Sequence, residues 1–587
     1  MRTIRWLLIV VPLALLVVLA IYPGTGWLVR QHLWIPQGVT VTQLAFSPAA
    51  GNDEILARVQ SRLKQTALRH PSDYLAQLSW AMSQTSMQAS SQNLRALLPR
   101  FGDRPSLYAH ILRYSTSSNV VIYRQEEQIL AQGRIPDPTS LPPPPPPPPP
   151  EVLAEFDRIA REGERLDPDN AFFPMMRAVG YFAGKRDREA VQAILRASVK
   201  PRFDDYAHEE AQSIIHLYTL AYGKQPAIVQ VGTCFSLFFP HYARLRAMVR
   251  MGQYMAMQAD KGGRSHEAAE IRLALMRCGR LVRTQARFII GSLLGITMVK
   301  MGGSLPRLQP PQSSKHGIVL GEPEDPWAEQ NREFVKYLRR LGRYEDARWA
   351  ERELRLAREV QALFTQAVEQ HRIPVYNIAI ASASVGAISM TLLTMGLSTL
   401  LFGLIWQVLS RLVSRLIEAM FAMVLALFVV GVILWSTPPV FSIIAYLHTI
   451  SSLLDLTRDH CCLSTCSEPY MPLLDSLTGF IQTLIMKMYD YPNMLYLVGV
   501  LAFVGWLILL TAGITVVGIL CKQSASEALI GGLRRYLLPA AAALLILCAG
   551  QLIYNAQVER HWLPEIEKVF QHESAYTLQL MGKQVPQ

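Results

Sequence analysis

Three cysteines and a histidine crowd into one short stretch, TRDHCCLSTCSEPY, in which Cys461, Cys462 and Cys466 follow His460. Thiolates and an imidazole bind soft metals, and thiols in an oxidising compartment form disulfides. The spacing is too tight for the familiar zinc sites and no second ligand pair follows. Haem attachment needs Cys-x-x-Cys-His, which is absent. The expected chemistry is therefore a bridge from Cys466 to Cys461 or Cys462, since a bond between the adjacent pair is strained. Cys234 and Cys278 stand alone and are expected to be buried.

Two further stretches approach a catalytic pattern and miss it. HEEAQ at His208 and HEAAE at His266 begin like the zinc-protease helix H-E-x-x-H, but Gln212 and Glu270 stand where the second imidazole belongs. One turn of helix then presents a single ligand. The sequence offers no glycine-rich phosphate loop, no nucleophile elbow and no carboxylate pair whose spacing demands acid–base work. No catalytic, cofactor-binding or metal-binding residue is assigned, and the expectation is a protein that is not an enzyme.

The elements that would position any site come from hydropathy. The 587-residue chain is 50% hydrophobic and 17% charged, poorer in charge than an ordinary soluble protein, and the deficit falls after residue 375. An apolar run from Trp6 to Tyr22 follows two arginines and reads as a retained anchor, with VLA at 18–20 as a possible cleavage site. Four more runs, Val375–Leu409, Ile417–Trp435, Met494–Leu520 and Tyr536–Asn555, are long enough to span a bilayer as helices. Phe288–Met301 is short for a span and reads as a buried helix.

Positive charge marks cytoplasmic loops. With the N-terminus inside, Arg411 and Arg415, then Lys522, Arg534 and Arg535, fall on the cytoplasmic side. The region from about 25 to 374, the loop 437–492 and the tail from 557 then lie outside. Ionisable residues are nearly absent from the spans; Glu418, one turn from the cytoplasmic end beside Arg415, is the exception. Ala379, Ala383 and Gly386 make small-residue faces of the kind that let membrane helices pack closely. No Asn-x-Ser/Thr sequon occurs, which favours a bacterial inner membrane. The net charge of +12 accompanies no nucleic-acid motif and alternates with Glu along helical patterns, as on a solvated face, so no nucleic-acid partner is expected.

Between the anchor and the later spans the pattern is helical. In LDPDNAFFPMMRAVGYFAGKRDREAVQAILRAS, a first helix carries Phe173, Met176, Val179 and Tyr181, Gly184 and Lys185 break it, and a second carries Ala190, Ala193, Ile194 and Ala197. Lys336–Ala357 reads as the end of one helix, a turn at Gly342 and a second helix with Tyr344 and Ala347; Gly252–Arg280 is a weaker copy. Pro71 and Pro105 lie 34 residues apart. This region resembles the tetratricopeptide repeat. The matching residues are Pro168, Ala171, Ala178, Tyr181, Ala190 and Ala197, with Gly342, Tyr344 and Ala347 in the later copy; Pro174 stands at the first-helix tryptophan position, so the copy is degenerate. The resemblance implies an α-solenoid whose groove binds peptides or partner proteins.

The expected fold is all-α. It comprises an N-terminal anchor (1–30), extracytoplasmic helical repeats (31–140), a polyproline spacer (141–150) and a tetratricopeptide-like domain (151–372). A four-span bundle (373–556), whose outer loop 437–492 holds the cysteines, and an extracytoplasmic tail (557–587) complete the chain. The nine prolines from 142 to 150 would extend about 3.1 Å per residue as a stiff spacer. The functional expectation is a multi-pass inner-membrane scaffold with a protein partner outside the membrane and the lipid bilayer as its other contact. A transporter component with the solenoid as lid, and a membrane-embedded enzyme, are the alternatives.

Overall fold

The computed structural model describes residues 2–21, 53–84, 86–132, 146–223, 237, 239–306, 327–369, 396–397, 399–407 and 525–582. Among these the chain is helical, with one isolated bridge between Asn170 and Arg202, so the all-α expectation holds. In chain order the helices are α1 (Arg2–Ile21), α2 (Asp53–Arg69), α3 (Tyr74–Met82), α4 (Met87–Ala96), α5 (Leu98–Phe101), α6 (Pro105–Ser118), α7 (Gln125–Gln132), α8 (Pro150–Leu166) and α9 (Phe172–Ala183). They continue with α10 (Asp187–Ser198), α11 (Ala207–Tyr222), α12 (Pro240–Lys261), α13 (Ser265–Gln285), α14 (Ile289–Gly302), α15 (Ala328–Arg340), α16 (Tyr344–Glu369) and α17 (Ala525–Leu580). Cys461, Cys462 and Cys466, the apolar runs Ile417–Trp435 and Met494–Leu520 expected to span, and most of Val375–Leu409 lie outside the described residues.

The chain divides into two compact units. One draws on residues 62–221, 237–373 and 567–587. Its hairpins share a single turn design. Lys185, Gly263 and Gly342 each take a left-handed conformation, with φ of 59°, 75° and 74°. The arginine that follows donates its N–H five residues back: Arg186 to Tyr181 O, Arg264 to Ala259 O and Arg343 to Leu338 O, at 2.8–3.0 Å. This closes the preceding helix as a Schellman motif. The same arginine reaches an acid three residues on, Arg186 to Glu189, Arg264 to Glu267 and Arg343 to Asp346. A fully buried alanine comes next each time, Ala190, Ala268 and Ala347. The three arginines are spaced almost equally, at 186, 264 and 343, so the hairpins repeat in structure as well as in sequence.

Packing departs from a simple stack. α12 touches α6, α7, α9, α13 and α14, whereas units of a strict one-dimensional array touch only their neighbours. One apolar core runs from Tyr74 on α3 to Met301 on α14, so the segments drawn before and after the polyproline run share it. The run itself feeds straight into α8. Pro149 has the extended angles φ −54° and ψ 142°, and Pro150 occupies the first turn, where a missing N–H costs nothing. The last proline of the run therefore belongs to α8, which packs on both α6 and α9. α14 is the buried helix expected from Phe288–Met301, although Ile290 and Leu293 stay exposed.

The other unit draws on residues 1–61, 222–236 and 374–566. In it Leu16 and Leu19 of α1, Leu400 of the helical residues 399–407, and Leu538, Leu545 and Leu552 of α17 form one apolar cluster. Gly396 and Gly403 face Leu545 and Leu538 so closely that an added Cβ would lie 2.6 and 3.3 Å from their Cδ2 atoms. Within α17, Leu537–Tyr554 is long and apolar enough to cross a membrane, and α1 contains the shorter apolar segment Val10–Leu19. Val17, Val18, Ile21, Ile546, Leu547 and Tyr554 remain more than half exposed.

Candidate partner groove

The helical unit has an open cavity of about 920 Å³. Its floor is one stripe of α13, Arg277, Arg280, Leu281 and Thr284, set on one face by three- and four-residue spacing. One wall is the turn after α10, Ser198–Pro201; the other is the first turns of α16 with Glu345, Asp346 and Trp349; His572 closes an edge. The α10 wall is fixed by Gln285, which donates to Pro201 O at 3.0 Å and accepts the Phe203 N–H at 2.8 Å. Lys200 Nζ reaches Pro168 O at 2.5 Å. Val199 stands on this wall 75% exposed, an isolated β-branched side chain presented to solvent.

Four charges close a ring beside the opposite wall. Arg277 meets Glu270 at 3.0 Å, Glu270 meets Arg343 at 2.7 Å, Arg343 meets Asp346 at 2.7 Å, and Asp346 returns to Arg277 at 3.7 Å. Burial raises the Glu270 carboxyl pKa, but Arg343 and Arg277 outweigh burial and hold it below the usual range. The Arg277 guanidinium lies 5.8 Å from the centre of the Trp349 ring. An arginine thus lies against an aromatic ring in the cavity lining. Rigid Trp and Arg groups are the ones that dominate protein interfaces when buried by a partner.

The residues that carry the tetratricopeptide resemblance lie elsewhere. Ala171, Ala178, Ala190, Ala197 and Ala347 are fully buried, Tyr181 is 6% exposed, and Gly342 makes its turn; Pro168 and Tyr344 are exposed. They build the core and turns and do not line the groove. The groove residues were hidden in a pattern that reads as a solvated arginine face, and only the approach of α16 to α13 gathers them.

A second cluster has the ingredients of chemistry and no access. Asp205 accepts from His241 Nε2 and from the Tyr242 hydroxyl, both at 3.0 Å; Arg113 pairs with Glu210 at 2.6 Å, and the Tyr114 hydroxyl donates to Glu210 at 3.0 Å. Burial pushes His241 down to about 4, so its imidazole is neutral. Burial raises the Asp205 pKa, yet His241, Arg113 and the Ala207 N–H outweigh it and keep the carboxylate ionised. His241 and Arg113 have no exposed surface, so no substrate reaches them. The cluster joins α6, α11 and α12 and serves the fold.

The metalloprotease near-misses lie on α11 and α13. His208 Nε2 lies 2.9 Å from Gln212, the residue that replaced the second histidine. Among the described residues no group of three or more His, Cys, Asp or Glu is arranged to hold a metal ion. Cys278 is buried, as its isolation indicated, and burial raises its thiol to about 12. No family model, curated protein or solved structure matches this chain.

Proposed function

We propose that this protein is a membrane-attached, non-enzymatic scaffold that binds a partner protein in the groove between α10, α13 and α16. The observation that carries the reading is the groove itself, where Trp349 is held by Arg277 and a closed ring of four charges beside the exposed Val199. The thrice-repeated turn at Arg186, Arg264 and Arg343 supports the tetratricopeptide-like reading of the hairpins, and such hairpins present concave binding surfaces. In this reading the spans place the helical domain and the C-terminus on the outer face of a bacterial inner membrane. The apolar helix Leu537–Tyr554 supports membrane attachment. Close packing of Gly396 and Gly403 on Leu545 and Leu538 supports a packed bundle in preference to a transport path at that crossing.

A photo-crosslinking residue at Val199, in the full chain in native membranes, tests the reading. Crosslinking to one protein species, abolished when Trp349→Ala is added, is the expected result. Only self-crosslinks, or a crosslinked set unchanged by Trp349→Ala, would count against it.

A further inference from the structure

The last described residues do not trail away from the helical unit. α17 breaks at His572, whose φ of −160° and ψ of 83° are extended, and the chain re-enters a helix at once. Glu573 Oε2 accepts the backbone N–H of Ile289 at 2.9 Å, filling a vacant donor at the start of α14. Ser574 N–H donates to Arg287 O at 3.1 Å, Ser292 Oγ donates to Ser574 Oγ at 2.9 Å, and Leu578 enters the core that contains Ile296 and Phe334. Just before the break, the Phe570 ring packs 4.9 Å from the His208 imidazole on α11.

The break is capped by a titratable group. His572 Nδ1 accepts the Ala575 N–H at 3.2 Å, which caps the final helical turns. A neutral imidazole can accept there; an imidazolium, with N–H on both nitrogens, cannot. The surroundings oppose a second charge. Arg287 acts on both His208 and His572 from the α13–α14 turn, and His572 acts in addition on His208. Burial and Arg287 push His208 down to about 4, and the same two causes lower His572. The carboxylates at hand are already engaged: Glu573 on Ile289 N–H, Glu209 on the Tyr74 hydroxyl at 3.0 Å and near His110 at 3.7 Å, and Asp204, which faces Arg287, on the Tyr206 N–H at 2.8 Å. The groove edge that His572 lines adds Lys200, Arg277, Arg280, Glu345 and Asp346.

We propose that residues 573–582 form an acid-released clasp, which holds the C-terminal end of the chain on α14 at neutral pH and lets go when His208 and His572 are protonated beside Arg287. The clasp shares His572 with the groove edge, but its docking contacts on α14 are separate from the groove, and exchange at Ile289 and Ala575 reads it apart from partner binding. The sign follows from linkage. Both imidazoles bind protons less readily when docked, so docking is complete above the free histidine pKa and weakens as pH falls below it.

The test is amide hydrogen exchange on the full chain in detergent, at about pH 7.5 and about pH 4.5, corrected for intrinsic exchange and with α9 as internal reference. Ile289 and Ala575 should be protected at the higher pH and lose protection at the lower one by a larger factor than α9 does. The double variant His208→Gln/His572→Asn, which keeps an N-cap acceptor and removes both titrating groups, should stay protected at both. Protection unchanged in the natural chain would overturn the proposal. So would a loss of protection in α9 as large as that at Ile289 and Ala575, or release of the double variant together with the natural chain.

Discussion

Gly279 and Gly295 bring the backbones of α13 and α14 into contact. A Cβ on Gly295 would sit 2.7 Å from Gly279 O, and one on Gly279 would sit 2.6 Å from Val299 N. Backbone atoms cannot swing aside as a side chain can. Gly295→Ala should therefore cost about 3 kcal/mol or more through overpacking, read as a fall in denaturant midpoint. Gly342→Ala, in open space at a left-handed turn, should cost only about 1 kcal/mol. Equal losses at the two positions would contradict this packing.

The buried pair Arg113–Glu210 yields a second prediction. Glu210→Leu removes the acid that pairs with the buried Arg113 and strands the Tyr114 hydroxyl, so it should destabilise by about 3 kcal/mol or more. Arg113→Met/Glu210→Leu removes both charges and should recover most of that loss. A denaturant double-mutant cycle measures the coupling, and additive single effects would contradict a paired network.

Acid should weaken the helical unit through His241. Its folded pKa, pushed by burial to about 4, lies below the ordinary 6.5, so the unfolded chain binds the proton first. The stability contribution is complete above 6.5 and is lost as pH falls from there toward 4. His241→Asn, which cannot titrate, should flatten the Tm–pH curve across that window. An unchanged slope would assign the acid sensitivity to other groups.

Much of the helical unit was legible because its signals are local. Gly184 with Lys185, and Gly342, announced their turns, and Ala178, Ala190 and Ala197 announced close crossings. The groove was not legible, because Arg277, Arg280, Lys200 and Trp349 come from three helical regions and acquire meaning only when α16 reaches α13. The docking of Glu573 on Ile289 joins residues 284 positions apart, and no periodicity signals such a contact. The Arg-x-x-acid-Ala repeat was present in the letters but too short and too widely spaced to stand out without its turn geometry. Across the polyproline run, composition indicated separate blocks, while the apolar faces of α6 and α8 meet in one core.

The groove charges give a further expectation about what binding needs. Arg343→Ala opens the four-charge ring without touching Trp349, so it should lower partner affinity by several-fold while changing Tm little. Full affinity in this variant would show that the ring does not preorganise the site.

The most direct test of the scaffold account is purification of the full chain from native membranes in mild detergent, with the natural groove and with Arg280→Glu/Trp349→Ala, each checked for an unchanged Tm. The account predicts a stoichiometric partner that the natural chain retains and the double variant loses. A chain that elutes alone in both forms, or a partner retained equally by both, would contradict it.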